Sequence, residues 1–276
     1  MKKIIITGAL GYIGTELCKL YSGFSWKYEV IALDNRFVSE RVNELKRRKI
    51  KFVQADILNL KKIKSHIEKA EIIHHLAGIT DVAYVKKDSN LAQDEKIKQV
   101  AIEGTANVLK SMNSNATIVF PSTHVVFEGL KEAKKDIDEK EKTNTFLAYS
   151  SSKVENENQI IKSGKKHAIF RLGSVYGFST DTMRINIMPN LFSKITSQNG
   201  KIKLFGGGVQ LKSLVPLIDV ARCFKFVEEN NNFKSGIYNL TKENTTVKEV
   251  AQICKKINPK LEITETDDEV PNKGYT

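Results

Sequence analysis

The sequence alternates short apolar runs with longer amphipathic stretches, and this alternation constrains its fold more than any other feature. The apolar runs are rich in β-branched residues and read KIIIT, YEVIALD, KFVQAD, EIIHHLAG, ATIVFPST and HAIFRL. Polar stretches with the helical period separate them, at residues 11–21, 38–49, 60–69, 92–112 and 145–162. Strands that alternate with helices in this way indicate repeated βαβ units. We therefore predict an α/β fold with a doubly wound parallel sheet covered by helices on both faces.

The pattern changes after Gly173, where a second and smaller unit is expected to begin. A turn-rich stretch, GSVYGFSTD, leads into a helical segment at residues 183–197, and alternating strands then flank the glycine run in KIKLFGGGVQLKSLVPLIDV. We predict that residues 1–173 form the main, cofactor-binding domain and that residues 174–276 form a smaller C-terminal α/β lobe for the substrate. The last stretch, TETDDEVPNKGYT, is acidic and turn-like, which leaves open that the native chain extends beyond Thr276.

Composition and charge exclude several classes of protein. A chain of 276 residues with 41% hydrophobic and 28% charged residues is an ordinary globular protein with room for one large core and a smaller lobe. Its net charge of +12 comes mostly from scattered lysines, and the densest basic cluster, KRRK at residues 46–49, has no interleaved aromatic residues. We predict that this cluster is a solvated helix face and that nucleic acid is not a partner, whereas an anionic small molecule is compatible with the charge.

Cysteine spacing and the N-terminal run limit the chemistry and the location. Cys18, Cys223 and Cys254 form no CxxC or Cys/His spacing, so neither a disulfide framework nor a metal site is expected. The apolar run that ends at Thr7 is too short to span a membrane or to act as a signal peptide. We predict a cytoplasmic protein without a membrane partner.

Three glycines follow the first strand directly and open the first helix. Gly8, Gly11 and Gly14 lie in TGALGYIG, where residues without side chains let backbone N–H groups and a helix N-terminus approach a pyrophosphate. Asp34 ends the second strand, about 20 residues further on, where a carboxylate can accept hydrogen bonds from ribose hydroxyls. Together they predict a Rossmann-like dinucleotide site. Asp34 repels a 2′-phosphate, so NAD is the predicted cofactor, and Arg36 keeps NADP as the alternative.

Further cofactor contacts are expected where other strands end. Asp56 ends the third strand and is expected at the adenine edge, a position that is compatible with a second role as a helix N-cap. The small residues of HLAG, at the end of the fourth strand, let the cofactor pass. The neighbouring pair His74 and His75 has no Cys or acidic partner at metal-ligand spacing, so a metal site is not expected there. The predicted cofactor contacts, with two from the helix described next, are Gly8, Gly11, Tyr12, Ile13, Gly14, Asp34, Asn35, Asp56, Ile57, Leu76, Ala77, Gly78, Tyr149 and Lys153.

Tyr149 and Lys153, in YSSSK, are four residues apart on a predicted helix, so their side chains are neighbours on one face. A free tyrosine has a pKa of about 10, and a nearby ammonium favours the phenolate. A phenol with a lowered pKa could take a proton from a substrate hydroxyl or return one to a carbonyl. A YxxxK spacing is common on helix surfaces, so by itself it leaves a surface role open.

The ordered set of motifs resembles the extended short-chain dehydrogenase/reductase family, in particular its NAD-dependent nucleotide-sugar epimerases and dehydratases. The motifs are TGxxGxxG, the acid that ends the second strand, PSTHVVF after the fifth strand and YSSSK, and the resemblance covers essentially the whole chain. It implies a catalytic set of Thr123, Tyr149 and Lys153. In such proteins the hydroxyl orients the substrate oxygen, the tyrosine is the acid and base, and the lysine also holds the nicotinamide ribose.

The resemblance also narrows the reaction. The family's 4,6-dehydratases follow the catalytic threonine with an Asp-Glu pair, and His124 and Val125 stand there in this sequence, so dehydration is poorly supported. STHVVFEG looks like the STDYVFDG of dTDP-4-dehydrorhamnose reductases. The resemblance implies an epimerase that acts on a nucleoside-diphosphate sugar through a keto-sugar, at C4. A dehydrogenase or 4-keto reductase with net NAD(P) turnover is the alternative, and a non-enzymatic dinucleotide-binding protein is disfavoured by the intact catalytic set.

Residues of the second lobe resemble the family's substrate contacts. RLGSVYG is similar to RxxNVYG with Ser174 in place of the asparagine, and FSTDTMRINIMPN matches a subgroup pattern in which an arginine and an asparagine reach sugar or phosphate. An arginine fork suits a diphosphate, while a lysine follows GGGVQ where many relatives have arginine. His124 could act as an acid or base, contact the sugar, or only pack. The predicted substrate contacts are Thr123, His124, Ser174, Arg184, Asn190 and Lys212.

Relatives commonly dimerise by packing the tyrosine-bearing helix and the helix before it into a four-helix interface. The stretch TNTFLAYSSSKVENENQIIK offers some apolar positions for such packing. A homodimer is therefore the expected assembly.

Overall fold

The computed structural model describes residues 1–80, 91–130, 132–230, 232–268 and 274–276. The strands are β1 Lys2–Thr7, β2 Tyr28–Asp34, β3 Lys51–Gln54, β4 Ile72–His75, β5 Thr117–Thr123, β6 Lys166–Leu172, β7 Ser174–Tyr176, β8 Lys201–Phe205, β9 Leu211–Pro216, β10 Gly236–Leu240, β11 Glu243–Thr246 and β12 Glu262–Thr266. The α-helices are α1 Tyr12–Ser22, α2 Ser39–Arg47, α3 Leu60–Ile67, α4 Leu91–Ser111, α5 Ala148–Lys162, α6 Met188–Ser197, α7 Leu217–Glu229 and α8 Val247–Ile257.

Seven strands form the main sheet, in the order β10-β6-β5-β4-β1-β2-β3, and every neighbouring pair is parallel. The chain moves outward from β1 to β3 and then returns to place β4 on the other side of β1, so the strand order reverses between β1 and β4. Ligands of open α/β sheets bind outside the carboxyl ends of the strands at such a switch point. The predicted Rossmann-like, doubly wound sheet is therefore confirmed, and this crevice is the place to look for a site.

Each side of the main sheet has its own hydrophobic core, because successive residues of a strand point to opposite faces. Ile4 and Ile6 of β1 belong to the core that also contains side chains of α1, α2 and α7. Ile5 belongs to the other core, together with side chains of α3, α4 and α5. Burial on both faces explains why the strands appear in the sequence as nearly unbroken apolar runs.

The C-terminal part of the chain contributes to both units. β7, β9 and β11 form a three-stranded sheet, β8 pairs with β12, and Phe192, Ile202 and Cys254 belong to the core of this lobe. β10, however, extends the main sheet beside β6, and α7 contributes to the main core. The expected division after Gly173 therefore does not describe where α7 and β10 lie, because the chain returns to the main domain after β9.

Two helices begin later than the sequence pattern indicates. The helix expected over residues 145–162 begins at Ala148. The helix expected over residues 183–197 begins at Met188, with Pro189 in its first turn, where the missing N–H of proline removes no intrahelical hydrogen bond.

The described part of the chain contains no helix that is long and apolar enough to cross a membrane. The basic cluster lies at the end of α2, where Arg47 and Arg48 each form an ion pair with Glu44, at 2.8 Å and 2.7 Å. Two of its cations are thus paired within their own helix, as on a solvated helix face.

Replacing Phe224 tests whether α7 belongs to the main core. Phe224 is fully buried and stacks on Phe170 and His74, so Phe224→Ala is expected to lower the free energy of unfolding by about 3–5 kcal/mol through the cavity it creates. Phe226, two residues further along the same helix, is 55% exposed, and Phe226→Ala should cost less than about 1 kcal/mol. Urea unfolding monitored by circular dichroism measures both, and equal losses would contradict this assignment.

Candidate active site

The glycine loop joins β1 to the first turn of α1 at the switch point. Gly8 has φ +65°, and a Cβ there would lie 2.7 Å from the backbone nitrogen of Ala77. A Cβ on Gly14 would lie 2.5 Å from the carbonyl oxygen of Gly8, so neither position has room for a side chain. Gly11, at the N-cap of α1, supplies no side-chain cap. The first N–H groups of the helix are thus left without a side-chain partner, and the loop fits the pyrophosphate of a dinucleotide.

Asp34 ends β2 and fastens this loop. Its Oδ2 accepts a hydrogen bond from the N–H of Leu10 (3.0 Å), and its Oδ1 accepts bonds from the N–H (3.0 Å) and Nε (3.2 Å) of Arg36. The carboxylate is almost fully buried, whereas the side chain of Arg36 is 55% exposed. Asp34 therefore holds the loop in shape and also lies at the strand end where the ribose of a dinucleotide is expected.

Asp56, predicted for the adenine end, lies in the turn after β3, and Asn35 follows β2 beside it. The Nδ2 of Asn35 donates to Asp56 Oδ2 (3.2 Å), and Asp56 Oδ1 accepts a bond from the N–H of Leu58 (2.9 Å). The N-cap of α3 is Asn59, whose side chain accepts a bond from the N–H of Lys62 (3.1 Å). The proposed N-cap role of Asp56 is therefore wrong, because Asp56 stabilises the turn before the helix instead.

Four other predicted cofactor residues contact the protein itself. Ile57 is buried in one core of the main sheet, and Ile13 and Leu76 pack against the other. The hydroxyl of Tyr12 donates a hydrogen bond to the carbonyl oxygen of Gly177, in the segment after β7. Contacts of these four residues with a cofactor stay predictions.

Thr7 and His75 join the carboxyl ends of β1 and β4. The Oγ1 of Thr7 lies 2.9 Å from His75 Nδ1 and accepts a hydrogen bond from the N–H of Ala77 (3.1 Å). The Nε2 of His75 lies 3.0 Å from the Oγ1 of Thr105 on α4. A Cβ on Gly78 would have no atom within 4 Å, so there is open space beside this residue where the cofactor is expected to pass.

The two histidines of β4 are buried, and their rings contact neighbouring side chains of the protein. Burial lowers the pKa of both His74 and His75 to about 3, so both rings are neutral. The Nε2 of His74 lies 2.8 Å from the hydroxyl of Tyr21, and its ring stacks on Phe224. Across the ranges that the structure describes, no group of three His, Cys, Asp or Glu side chains is arranged to hold a metal ion.

Thr123, Tyr149 and Lys153 meet at the carboxyl end of β5. Thr123 is the last residue of β5, and Tyr149 and Lys153 lie one turn apart on α5. The side chains of Thr123 and Thr80 lie near enough to the hydroxyl of Tyr149 to favour its phenolate form. The Nζ of Lys153 lies 5.8 Å from the centroid of the Tyr149 ring and donates to the carbonyl oxygen of Pro121 (2.7 Å). The three residues that the sequence pattern selected are therefore neighbours in space.

The pKa values of this set differ from the expectation for Tyr149. Burial raises the pKa of Tyr149 above its ordinary value, and the cation of Arg184 and two threonine hydrogen bonds act in the opposite direction. Burial also lowers the pKa of Lys153 to about 8, against the opposing effect of the Glu157 carboxylate. The expectation that Lys153 lowers the pKa of Tyr149 is not confirmed, because Arg184 is the cation that favours the phenolate here.

A buried ion pair fixes the middle of α5. The Oε2 of Glu157 pairs with Arg171 of β6 (2.8 Å), while its Oε1 accepts a bond from Arg171 Nε (3.1 Å) and one from the hydroxyl of Ser122. Ser122 precedes Thr123, and Glu157 lies one turn beyond Lys153, so this network links both catalytic elements. Removing one partner of such a pair costs about 3–5 kcal/mol, because the other charge stays buried.

Glu128 fixes the N-terminal end of the same helix. Its Oε1 accepts hydrogen bonds from the N–H groups of Phe146 (3.1 Å) and Leu147 (2.9 Å) and from the hydroxyl of Ser150. A carboxylate at this end also interacts favourably with the helix dipole. Because Tyr149 lies in the first turn of α5, these bonds to the start of the helix help to fix the position of the backbone that carries its ring.

The sequence patterns did not select Glu128, Glu157, Arg171 or Thr80. The signal for the ion pair was an arginine within the buried run HAIFRL, since a buried cation requires a partner. Nothing in the sequence shows that Glu128 lies beside a helix that begins twenty residues later, because only the fold brings them together.

The residues predicted for the substrate include two cations. Arg184 acts on the pKa of Tyr149, and Lys212 acts on that of His124, which places each cation beside a candidate catalytic or substrate residue. Burial lowers the pKa of Lys212. Neither cation makes an ion pair within the described ranges, so both suit an anionic ligand. Ser174 begins β7 and is half-buried.

His124 and Asn190 are engaged with the backbone. His124 Nδ1 donates to the carbonyl oxygen of Leu172 (2.8 Å), and burial lowers the pKa of His124 to about 4, so Nε2 is an acceptor. The Oδ1 of Asn190 accepts a bond from the N–H of Gly177 (3.0 Å), and its Nδ2 donates to the carbonyl oxygen of Arg184 (3.0 Å). Asn190 therefore shapes the segment that carries Arg184, and its contact with a substrate stays a prediction.

Lys153→Met is expected to raise the free energy of unfolding at neutral pH by roughly 1–3 kcal/mol. The substitution removes the unfavourable burial of the ammonium, and this gain exceeds the loss of the hydrogen bond to Pro121. The pKa of Lys153 is about 8 in the folded chain and 10.5 in its ordinary state. Between these two values the folded state thus binds fewer protons than the unfolded state. The penalty that the buried ammonium imposes on stability is therefore complete below pH 8 and disappears as the pH rises to 10.5.

Urea unfolding at pH 7 and at pH 10 measures this difference. Lys162→Met, at the exposed end of the same helix, is the control and should give the same difference from wild type at both pH values. A Lys153→Met protein that is less stable than wild type at pH 7 would contradict the assignment of a penalty to the buried ammonium.

Comparisons with known proteins show the family of the chain. The sequence profile of the NAD dependent epimerase/dehydratase family matches residues 4–241. A Methanocaldococcus jannaschii protein provisionally named UDP-glucose 4-epimerase is 29% identical over 262 residues, which are 91% of this chain and 81% of that protein. The dTDP-D-glucose 4,6-dehydratase of Dictyostelium discoideum is 26% identical over 261 residues, which are 87% of this chain and 58% of that protein.

Solved structures share the fold. The UDP-glucuronic acid 4-epimerase from Bacillus cereus, in complex with UDP-glucuronic acid and NAD, superposes with a TM-score of 0.79 at 21% identity, covering 99% of this chain and 89% of that one. The family profile spans the glycine loop, the end of β5 and the helix with Tyr149 and Lys153. The chain therefore belongs to the NAD dependent epimerase/dehydratase family, as its ordered motifs indicate.

Proposed function

We propose that the chain is an NAD-dependent epimerase that inverts C4 of a nucleoside-diphosphate sugar. The observation that carries this proposal is the meeting of Thr123, Tyr149 and Lys153 at the same edge of the sheet as the glycine loop. Membership of the family supports it, as do the names of the Methanocaldococcus relative and of the Bacillus cereus enzyme.

The described residues fit NAD along the carboxyl edge of the sheet. The glycine loop would hold the pyrophosphate, Asp34 the adenosine ribose and Lys153 the nicotinamide ribose. When bound, NAD supplies an acceptor and then a donor of hydride at the sugar carbon. The buried carboxylate of Asp34 disfavours the 2′-phosphate of NADP, and Arg36, which could bind that phosphate, is already paired with Asp34.

Tyr149 would move the proton. It removes the proton of the ring hydroxyl as the carbon is oxidised, and it returns a proton to the carbonyl oxygen as the carbon is reduced. A buried phenol with a raised pKa is a weak source of phenolate, so neighbouring cations have to favour the charged form, and Arg184 already acts in this direction. Thr123, whose side chain acts on the same hydroxyl, would orient the substrate oxygen.

Inversion requires that the keto-sugar presents its other face before it is reduced. The sugar is oxidised on one face, turns within the site while its nucleotide stays anchored, and is reduced on the opposite face. Arg184 and Lys212, neither of which forms an ion pair among the described residues, are suited to anchor the diphosphate during this turn. One stereocentre changes, and no cofactor is consumed.

Incubation with UDP-, GDP- and dTDP-sugars distinguishes an epimerase from an oxidoreductase. Chromatography resolves the sugar products while absorbance at the nicotinamide wavelength follows NADH. We expect an epimeric product without net NADH. Stoichiometric NADH, or a requirement for added NADH, would instead establish the dehydrogenase or reductase alternative.

Tyr149→Phe removes the proposed acid and base and should lower kcat by roughly 10²–10⁴-fold, while NAD remains bound. Tyr238→Phe is the matched control, because Tyr238 packs against the core on the face of the main sheet opposite α5, and its hydroxyl donates to the carbonyl oxygen of Lys234. Full turnover by Tyr149→Phe on an accepted substrate would refute the proposed mechanism.

We further propose a cytoplasmic homodimer. The cysteines Cys18, Cys223 and Cys254 are all unpaired, which suits a reducing compartment. α4 and α5 pack side by side, as Asn156 Nδ2 donates to the carbonyl oxygen of Ala101 (2.9 Å), and Ile161 is exposed on α5. These two helices are available for a four-helix interface, which sedimentation equilibrium would test directly.

A further inference from the structure

Arg41 joins three separate parts of the chain. It lies on α2, and its Nη1 donates to the carbonyl oxygen of Leu10 in the glycine loop (2.7 Å). Its Nε donates to Asp181 Oδ2 (2.6 Å), and its Nη2 donates to the carbonyl oxygen of Asp181 (3.0 Å). The side chain of Arg41 is 18% exposed and that of Asp181 is 46% exposed. A planar guanidinium suits this role because its donors diverge from one rigid group.

Two side chains of α1 fasten the same segment, residues 177–182, which we call the strap. The hydroxyl of Tyr12 donates to the carbonyl oxygen of Gly177, and the Oγ1 of Thr15 lies 3.2 Å from the Oγ1 of Thr182. Both come from the first turn of α1, the turn whose N–H groups have no side-chain cap. The strap therefore lies against the end of the helix where the pyrophosphate of a dinucleotide would be held.

We propose that Arg41 and the strap form a latch that retains the dinucleotide, with Arg41 as a positioning residue. This inference rests on the proposed function, because an epimerase that returns hydride to the same sugar has to keep its cofactor between the two half-reactions. Asn190 connects the strap to α6, since it binds the N–H of Gly177. Movement of the strap away from α1 would thus break the bonds of Arg41 and carry part of the substrate lobe with it.

The ion pair is the contact of this latch that a single substitution can remove most cleanly. Asp181→Ala removes the carboxylate and leaves the bond between Arg41 and Leu10 in place, so the glycine loop keeps its support. Arg41→Leu removes both contacts. Arg47→Gln is the matched control, because Arg47 lies on the same helix and forms an exposed ion pair with Glu44.

The test measures how fast bound NAD leaves. Each protein is loaded with radiolabelled NAD, desalted and chased with an excess of unlabelled NAD, and retained label is followed with time. We expect release to be roughly fivefold faster in Asp181→Ala, and roughly tenfold or more in Arg41→Leu, where the contact with Leu10 is lost as well. Arg47→Gln should release NAD at the wild-type rate.

Ionic strength provides a readout that a purely structural role would not change. Asp181 is half-exposed, so raising the salt from about 0.05 M to about 0.5 M should accelerate release from wild type and narrow its difference from Asp181→Ala. Thermal unfolding of the NAD-free proteins checks that the variants are equally folded. If Arg41→Leu fails to fold, the rate of NAD release from Asp181→Ala tests the latch by itself.

Two outcomes separate the latch from the proposed function. Equal release rates for wild type and Asp181→Ala at low salt, with NAD bound to both, overturn the latch and leave the epimerase proposal standing. A wild-type protein that binds no NAD overturns both proposals.

Discussion

The contact of Gly8 with the end of β4 is the constraint on which the rest of the site depends. A Cβ at Gly8 would overlap the backbone of Leu76 and Ala77, so the first loop can cross the switch point only because this residue has no side chain. Thr7 reinforces the contact through the N–H of Ala77. The crevice lies outside the carboxyl ends of β1 and β4 because the strand order reverses there, and the N-terminus of α1 opens onto it.

Polar contacts, rather than apolar packing, determine the position of the catalytic helix. Of the buried residues of α5 only Ile160 is a large apolar one, and Ser150, Ser152, Asn156 and Glu157 are buried with it. Such groups stabilise the helix only if they are paired. Ser150 donates to Glu128, Asn156 donates to the carbonyl oxygen of Ala101, and Glu157 pairs with Arg171, whereas the Oγ of Ser152 has no hydrogen-bond partner among the described residues. The three paired groups give α5 a well-defined position relative to β5. A helix that bears a reacting phenol needs this geometry more than it needs additional hydrophobic area.

The parts of the fold that repeat in the sequence were predictable, and the parts that depend on distant contacts were not. The six strands of the first domain and the glycine loop follow from local period and spacing, whereas the set of Thr123, Tyr149 and Lys153 is implied by the resemblance of the ordered motifs to a known family. The return of β10 to the main sheet was not predictable from these, because GIYNL reads like any short strand and its partner β6 lies far back in the chain. The anchors of α5 and the contact of Arg41 with Asp181 join residues widely separated in sequence, and no periodicity encodes them.

The pKa values show why the spacing of YSSSK alone did not determine the chemistry. An ammonium four residues from a phenol would favour the phenolate in water, but burial penalises both charges, and Lys153 directs its Nζ to the carbonyl oxygen of Pro121. Burial therefore raises the pKa of Tyr149 and lowers that of Lys153, so it favours the neutral form of both groups. Arg184, contributed by the segment after the strap, adds a cation that the helix itself does not supply. The proton transfer proposed for Tyr149 consequently depends on the position of the segment with Arg184 as well as on the helix that bears the tyrosine.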